Sequence, residues 1–408
     1  MWLKRIVNYD LLILVSIIWF LGKFIRYAFP PLFETLQLFY GVSNTAIGGA
    51  FTGFMIVYSI MQFPSGIIAD RIGAVRVIVT GATVTGTGAL ILVADSPFPV
   101  LLAGMLILGM GTGVHKTVSV RLIARIYPTQ TGRALGAHDT LGAFGGAVAP
   151  TAVVVLLSAP PAIGWILNRL PGANWRSLFL LTAVISLTLA LLFALRFNSQ
   201  YSNHILENEN DIIPQPGMND YLQLTQDKKL LYFIFITLGV SFAHNGLVAF
   251  LPLYLSQVSE VSSTTAGILY SLFFWVSFIQ LISGSLSDRI GRLPVLIITS
   301  SLATVALWAV VFTPGAETIV LGALIAGIGI GAHGFQPVRG AYLMESLPDQ
   351  LAAGGLGLIR TLLMGAGSLA PIIVGFVVDV SNFRVAFGIL STSMSLAAIG
   401  AIGLWIVK

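Results

Sequence analysis

The chain has 408 residues, of which 56% are apolar and 9% are charged, whereas a typical soluble domain carries about 25% charged residues. A water-soluble protein this poor in charge could not cover its own surface, so the composition predicts a chain built for lipid. The sequence contains no cysteine, which excludes a disulfide framework and a cysteine-based metal site. Its net charge of +5 comes from scattered Lys and Arg residues, so we expect no nucleic-acid partner.

Twelve stretches of the chain are apolar and have roughly the 20 residues that a helix needs to cross a bilayer. Lys4 and Arg5 precede the first stretch as in a signal peptide. No small-residue cleavage site follows, so this stretch is interpreted as the first membrane span. In chain order the predicted spans cover residues 9–32, 45–69, 74–95, 98–126, 133–157, 176–197, 230–256, 264–287, 293–313, 317–344, 353–379 and 384–407.

One segment in the middle of the chain does not fit this pattern. Residues 198–228 are rich in Asn, Asp, Glu and Gln and contain Pro214 and Pro216, a composition that indicates a solvated linker. The sequence therefore predicts an N-terminal six-helix bundle at 1–197, a cytoplasmic linker at 198–228 and a C-terminal six-helix bundle at 229–408.

The basic residues of the short loops predict the orientation of the spans. With the N-terminus inside, twelve Lys and Arg residues lie on the inner side, and only Arg169, Arg176 and Arg384 lie on the outer side. This distribution agrees with the positive-inside rule. We therefore expect a multi-pass protein of the plasma (inner) membrane with both termini in the cytoplasm.

The two predicted bundles repeat each other in sequence. Residues 66–73, Gly-Ile-Ile-Ala-Asp-Arg-Ile-Gly, return 218 positions later as residues 284–291, Gly-Ser-Leu-Ser-Asp-Arg-Ile-Gly. The same offset predicts that five residues of the fourth span are equivalent to five of the tenth. These pairs are Gly109 and Gly327, Gly111 and Gly329, Gly113 and Gly331, His115 and His333, and Arg121 and Arg339. A parallel six-plus-six repeat is a known plan of secondary transporters, with the substrate site between the halves.

The duplicated Gly-x-x-x-Asp-Arg-x-Gly signature, the repeat and the linker together resemble the major facilitator superfamily over the whole chain. Residues 109–150 are also distantly similar to fosmidomycin-resistance-type members, although Lys116 stands where proline is expected. The resemblance implies an all-α membrane protein with twelve transmembrane helices in two pseudo-symmetric six-helix bundles. It further implies a cavity lined by helices one, four, seven and ten, and transport by alternating access.

The resemblance also implies mechanical roles for the signature residues. In this family the Asp pairs with or caps a neighbouring helix end, and the Arg pairs with an acid on an adjacent helix. An acid at a helix N-terminus contributes only about 0.3–1 kcal/mol, so such contacts can break during rocking. The alternative is that these residues are ordinary loop charges that set the topology. The residues predicted to act in gating or coupling are Gly66, Asp70, Arg71, Gly73, Arg121, Asp139, Gly284, Asp288, Arg289, Gly291, Arg339 and Arg360.

Ionisable residues inside the predicted spans indicate the substrate. Asp139 is the one clearly intramembrane acid, and it faces six cations, which are Lys23, Arg26, Lys116, Arg121, Arg339 and Arg360. Because a charge at the bilayer centre costs at least about 2.5–3.5 kcal/mol, each is a functional candidate, and the imbalance predicts a cavity that binds an anion. The residues predicted to bind the substrate are Lys23, Arg26, His115, Lys116, His244, Asn245 and His333.

Some of these charges have more than one interpretation. Arg121 and its counterpart in the second bundle lie near the inner ends of their spans, where long side chains reach the interface. Snorkelling, gating and direct contact with substrate therefore all stay open for them. Asp139 either pairs with Arg360 across the two halves or neutralises Arg121 or Arg125. His138 is expected to be a structural residue.

The sequence therefore predicts a secondary active transporter that moves a small organic anion across the plasma membrane by alternating access, in symport with protons. A proton-driven efflux antiporter for a drug or anionic metabolite and a non-transporting membrane sensor are the alternatives. The spans contain no His-x-x-x-His and no carboxylate pair at metal-ligand spacing, so we expect no enzyme activity, metal or cofactor other than the coupling proton. The expected partners are a small anionic substrate and the lipid bilayer, and we expect a monomer.

Overall fold

The computed structural model describes residues 9–158, 175–197, 226–348 and 352–407. Within these ranges twelve helices are long and apolar enough to cross a membrane, and no strand is present. The prediction of an all-α protein with twelve spans is therefore confirmed. Of the predicted linker, residues 198–225 lie outside the described residues.

The twelve spans are numbered α1 to α12 in chain order. The helices α1 to α6 are Asp10–Tyr40, Asn44–Ile72, Ala74–Ile91, Phe98–Gly113 with His115–Ile126, Thr131–Ser158 and Trp175–Arg196. The helices α7 to α12 are Lys228–Gln257, Ser263–Trp275 with Ile279–Ile290, Arg292–Phe312, Thr318–Ser346, Ala352–Gly367 with Ala370–Val380, and Phe383–Ile406. Three spans, α4, α8 and α11, thus consist of two helical pieces.

The chain divides into two compact units. The first unit comprises Met1–Leu32 and Gly53–Ile213, and the second comprises Phe33–Thr52 and Pro214–Lys408. The end of α1 and the start of α2 therefore belong to the second unit, although the predicted bundle boundaries assign them to the N-terminal half. The start of α2 contacts α11, and the end of α1 contacts α7 and α8, which accounts for this difference.

Asp379, near the end of α11, caps the N-terminus of α2. Its Oδ1 accepts hydrogen bonds from the backbone N and the Nδ2 of Asn44, at 3.1 and 2.9 Å. Its Oδ2 accepts hydrogen bonds from the backbone N and the Oγ1 of Thr45, at 2.8 and 2.6 Å. The N–H groups of a first helical turn have no partner within the helix, and a negative charge is favourable there. A residue 335 positions away in sequence thus supplies the cap of α2.

The same two helices touch backbone to backbone. An added Cβ at Gly48 would overlap the carbonyl oxygen of Pro371, and one at Gly375 would overlap that of Asn44. Small residues allow such an approach, and close packing is what holds helices together where lipid removes the hydrophobic drive. The start of α2 is therefore fixed against α11 by packing as well as by the cap.

The duplicated signature is also a backbone repeat. Gly73, between α2 and α3, has φ and ψ of 92° and 142°, and Gly291, between α8 and α9, has 94° and 157°. Residues with a Cβ rarely adopt such positive φ values, so both turns favour glycine. The signature therefore builds the same tight turn in each half.

Glycine contacts revise the alignment of α4 with α10. An added Cβ at Gly111 would lie 2.5 Å from the backbone N of Thr85, and one at Gly331 would lie 2.6 Å from that of Ala303. Thr85 and Ala303 are 218 residues apart, whereas Gly111 and Gly331 are 220 apart. The predicted equivalence of Gly111 with Gly329 is therefore wrong by two residues, because the chain from Ala303 to Gly331 is two residues longer than that from Thr85 to Gly111.

Replacing Gly145 by Ala is expected to destabilise the contact between α1 and α5. An added Cβ at Gly145 would overlap the carbonyl oxygen of Phe20, so the helices must separate, at a cost of about 1–3 kcal/mol. Gly136, on the same helix, has no atom within 4 Å of an added Cβ, and Gly136→Ala should be neutral or stabilise by up to about 1 kcal/mol. Equal melting temperatures of the two variants in detergent would contradict this packing.

Removing the carboxylate of Asp379 should lower the melting temperature in detergent. Asp379→Ala leaves two first-turn N–H groups of α2 without their acceptor, and losing a cap costs about 0.5–2 kcal/mol. Glu317→Ala is the matched control, because Glu317 precedes α10 but its side chain makes no cap hydrogen bond. If the two variants melt together, the cap contributes nothing to stability.

Candidate functional site

One face of α1 carries the side chains around which the candidate site of the first unit is built. They recur at spacings of three or four residues, which place them on one side of a helix. The face begins in the second turn of the helix. Its members are Ser16, Trp19, Lys23 and Arg26.

Trp19 brings together two of the cations predicted to bind substrate. The Nζ of Lys23 lies 5.6 Å from the centroid of its indole, and the Nζ of Lys116 lies 5.1 Å from it. A cation within about 6 Å of an aromatic face is attracted by the ring. His138 stacks on the same indole at 6.0 Å, and Gly142 leaves it room, since a Cβ there would overlap the ring.

Arg26 is buried and stacked on Tyr58 of α2. Its Cζ lies 3.6 Å from the centroid of the Tyr58 ring, and only 7% of the residue is exposed. In the part of the chain that the structure describes, its Nε has no hydrogen-bond partner and no ion pair includes it. The ring compensates the charge of the guanidinium in part.

Asp139 of α5 pairs with Lys116 of α4, the preceding span. The Nζ of Lys116 donates to its carboxylate, and the two side chains are 10% and 55% exposed. The sequence left Arg360, Arg121 and Arg125 open as ion-pair partners of Asp139, and the structure corrects that expectation. The pair forms because Lys116 begins the second piece of α4 and Asp139 lies in the following helix, α5, only 23 positions along the chain.

Both described histidines of the first unit are buried. His115 lies against α3, where an added Cβ at Gly81 would be 3.0 Å from its Cε1. Its Nδ1 has no hydrogen-bond partner among the described residues. His138 has its Nδ1 3.2 Å from the Oγ of Ser16, an arrangement that joins α5 to α1.

An imidazole and phenyl cluster forms in the second unit from α7, α8 and α10. The rings of His244 and His333 lie 5.8 Å apart at 82°. Phe273 contacts both, at 5.7 Å from His244 and 4.9 Å from His333, and Phe274 lies 5.9 Å from His333. The structure thus brings together two of the histidines that the sequence analysis assigned to substrate binding.

The revised alignment of α4 with α10 separates His115 from His333. With equivalent residues 220 apart, His333 corresponds to Gly113, and His115 corresponds to Phe335. Their predicted equivalence is therefore wrong, and each histidine has its own surroundings. His115 packs on α3, whereas His333 contacts α7 and α8.

Asn245, the neighbour of His244, is engaged in helix packing. Its Nδ2 donates to the carbonyl oxygen of Ser241 at 2.8 Å. An added Cβ at Gly367 would lie 2.6 Å from the same nitrogen. Its amide therefore lies against α11.

The first copy of the signature contacts α4. The Nη1 of Arg121 lies 3.5 Å from the carbonyl oxygen of Gly66, so this arginine reaches the end of α2. Arg71 is exposed, and Gly73 forms the turn described above. The side chain of Asp70 lies outside the described residues.

In the second copy Arg292, the residue after the signature, makes the contacts expected of Arg289. Arg292 pairs with Asp288 and donates from its Nε to Glu345 of α10 at 2.9 Å. Arg289 is exposed, and no ion pair among the described residues includes it. An added Cβ at Gly284 would meet nothing within 4 Å, so this glycine serves no close approach. Arg292 can reach the acid because it starts α9, beside α10.

Arg339 and Arg360 form a second group of cations. Arg339 on α10 is half-buried, Arg360 on α11 is exposed, and the two lie within electrostatic range of each other. None of the ion pairs in the described ranges includes either residue. Neighbouring positive charges repel each other, so an anion bound beside Arg339 and Arg360 would reduce their repulsion.

Several residues that contact the predicted site residues were not themselves predicted from the sequence. Trp19 stands four residues before Lys23, a helical spacing that could have revealed it. Tyr58, Phe273 and Glu345 lie on other helices than their partners, and no spacing in the sequence indicates those contacts. The described residues include no group of three His, Asp or Glu side chains that could hold a metal ion.

Two bacterial transporters are similar to the chain over most of its length. The probable 4-methylmuconolactone transporter of Cupriavidus pinatubonensis is 25% identical over 385 residues, covering 93% of this chain and 83% of that protein. The glycerol-3-phosphate transporter of Bacillus subtilis is 22% identical over 405 residues, covering 93% and 87%. Both relatives are thus named as carriers of small organic metabolites.

A solved structure shares the fold. The inward-facing, unoccupied form of a bacterial homologue of the human lysosomal transporter Spinster has a TM-score of 0.77 and 16% identity, covering 98% of this chain and 95% of that one. The sequence model described as Major Facilitator Superfamily matches residues 12–326 and 233–408. Together with the twelve spans and the duplicated signature turn, this match shows that the chain is a multi-pass membrane protein of the Major Facilitator Superfamily.

Proposed function

We propose that this transporter imports a small organic anion across the plasma membrane, in symport with protons and by alternating access. The orientation that accompanies this proposal has both termini in the cytoplasm, as the basic residues of the loops predict. The observation that carries the proposal is the group of cations within the spans of the first unit. Lys23 and Lys116 share the indole of Trp19, and buried Arg26 is in no ion pair among the described residues.

The free energy of burial makes this group of cations informative. Each cation within a span costs at least about 2.5–3.5 kcal/mol at the bilayer centre. The Tyr58 ring compensates the charge of Arg26 only in part, because a cation over a ring gains about 0.5–2 kcal/mol. An anion that enters the site would supply the missing compensation, and its binding would be favoured for that reason.

The chemistry of the cations indicates the class of anion. A guanidinium stacked on a ring presents its planar edge, which matches the two oxygens of a carboxylate or a phosphate. An ammonium group supplies a compact charge with three rotatable donors. Arg26 and Lys23 together therefore favour a carboxylate or a phosphate monoester. The relative named for glycerol-3-phosphate is in line with this class.

The imidazole and phenyl cluster of the second unit supports an organic substrate. His244 and His333 offer ring nitrogens that donate or accept hydrogen bonds according to the tautomer. Phe273 and Phe274 add apolar surface next to them. Such a combination of few polar groups with aromatic walls is typical of sites for small organic molecules.

Uptake by purified protein in proteoliposomes is the test of the anion assignment. Radiolabelled monocarboxylates, dicarboxylates and phosphate monoesters are each supplied with and without an imposed pH gradient, acid outside. Wild type should accumulate one of these classes. A gradient of about one pH unit should raise accumulation of a monoanion about tenfold for electroneutral one-to-one symport, since about 1.4 kcal/mol corresponds to a factor of ten.

Arg26→Gln should abolish this uptake, because it removes the cation best placed to bind two oxygens. Arg76→Gln is the matched control, since Arg76 is exposed at the start of α3, and it should transport as wild type does. Uptake of a neutral polyol or a cation in place of every anion would overturn the proposed substrate class. Accumulation driven by an alkaline exterior would overturn the proposed direction of proton movement.

A further inference from the structure

The ion pair of Lys116 and Asp139 differs from the other ion pairs described here in its position. The pair of Arg176 with Asp95 joins the start of α6 to the loop after α3, and the pair of Arg196 with Asp10 joins the end of α6 to the start of α1. Arg292 pairs beside the turn before α9. Lys116 and Asp139 lie inside the spans α4 and α5, beside Trp19 and near Lys23. A pair at this place is part of the cation group to which the proposed function assigns the anion.

The two partners of the pair differ in exposure. The Lys116 side chain is 10% exposed and rests on the indole of Trp19, whereas the Asp139 side chain is 55% exposed. Exposing an ionised carboxylate to hydrocarbon would cost several kcal/mol. The exposed side of the Asp139 carboxylate is therefore expected to face water. The ammonium is therefore held in place by packing, and the carboxylate is the partner that can leave.

Among the titratable groups around the pair, the carboxylate of Asp139 is the one best placed to accept a proton from water. The titratable and charged groups near the pair come from three helices. They are Lys23 of α1, which shares the indole of Trp19 with Lys116, His115 beside Lys116 on α4, and His138 of α5, which lies within electrostatic range of both partners. The charged residues of α3 and α6, Arg76, Arg176 and Arg196, lie in the first or last turns of those helices. Both histidines are packed in the interior, so among these groups the carboxylate combines exposure to water with a partner it can lose.

We infer that Asp139 carries the coupling proton, and that the Lys116 ammonium pairs alternately with Asp139 and with the substrate anion. This inference rests on the proposed function. An anion drawn in by Lys23 and Arg26 takes the place of the carboxylate at Lys116. The released carboxylate then lies beside a second negative charge, a situation that favours its protonated form.

The proton balance of the cycle is complete without any other group. An oxygen of Asp139 accepts a proton from the outer water as the anion binds. On the inner side the anion leaves, the carboxyl group gives that proton to the cytoplasmic water, and the carboxylate pairs with Lys116 again. One anion and one proton cross together, and the ammonium is neutralised by a negative partner at both ends of the cycle.

The variant Asp139→Asn, made in the whole chain, separates anion binding from proton transport. The probe is the anion of the panel that wild type takes up fastest. The amide cannot carry a proton but leaves Lys116 free to bind the anion, so exchange of labelled for unlabelled anion should stay close to wild type. The response of uptake to the pH gradient should be lost, and anion addition should no longer acidify the lumen, as measured with a trapped pH dye.

Three further variants complete the test. Asp139→Glu should restore gradient-driven uptake, and Lys116→Gln should lose both exchange and uptake. Asp95→Asn removes an acid that pairs with Arg176 at the start of α6, and it should keep both activities. Size-exclusion chromatography and the melting temperature in detergent identify any variant that fails to fold.

The outcomes distinguish this inference from the proposed function. If Asp139→Asn still responds to the pH gradient, or if it loses exchange while remaining folded, Asp139 is not the proton carrier and the inference is overturned. If wild type exchanges anions without any effect of pH, the inference also fails while the anion assignment stands. If wild type moves no anion at all, the proposed function itself is overturned.

Discussion

A charge that is buried among membrane-spanning helices has no water around it, so the protein itself must compensate that charge. In the first unit an indole, a phenol and one carboxylate contribute to this compensation, and the phenol compensates Arg26 only in part. The low charge content of the chain makes each such residue conspicuous. The proposed affinity for an anion and the proposed competition between Asp139 and that anion for one ammonium both rest on this constraint.

Glycine packing provides the geometry on which the charges depend. Gly145 lets α5 approach the backbone of α1, and Gly142, one turn earlier, leaves room for the indole of Trp19. The position of that ring in turn determines where Lys23 and Lys116 meet. The polar site is therefore a product of close helix contact, which in lipid is the main source of helix association.

Features that depend on local sequence were predictable, and features that depend on helix contacts were not. The twelve spans follow from long apolar stretches, and the turns at Gly73 and Gly291 follow from a duplicated signature. The partner of Asp139 depends on the rotation of α4 against α5, which no spacing in one sequence reveals. The equivalence of His115 and His333 failed because a repeat offset taken from the signature does not persist through a longer connection. The side-chain roles in the site stay predictions that transport measurements can decide.

The cap of α2 by Asp379 also affects how the protein is made. Thr45 leaves the ribosome 334 residues before the carboxylate that accepts its hydrogen bonds, a delay of roughly 20–70 s at about 5–20 residues per second. Until then the first turn of α2 needs water or the insertion machinery as a temporary partner. The second helix to be synthesised can thus complete its packing only after the eleventh has been inserted, so a nascent chain interrupted before Asp379 would present an unfinished helix end to quality control.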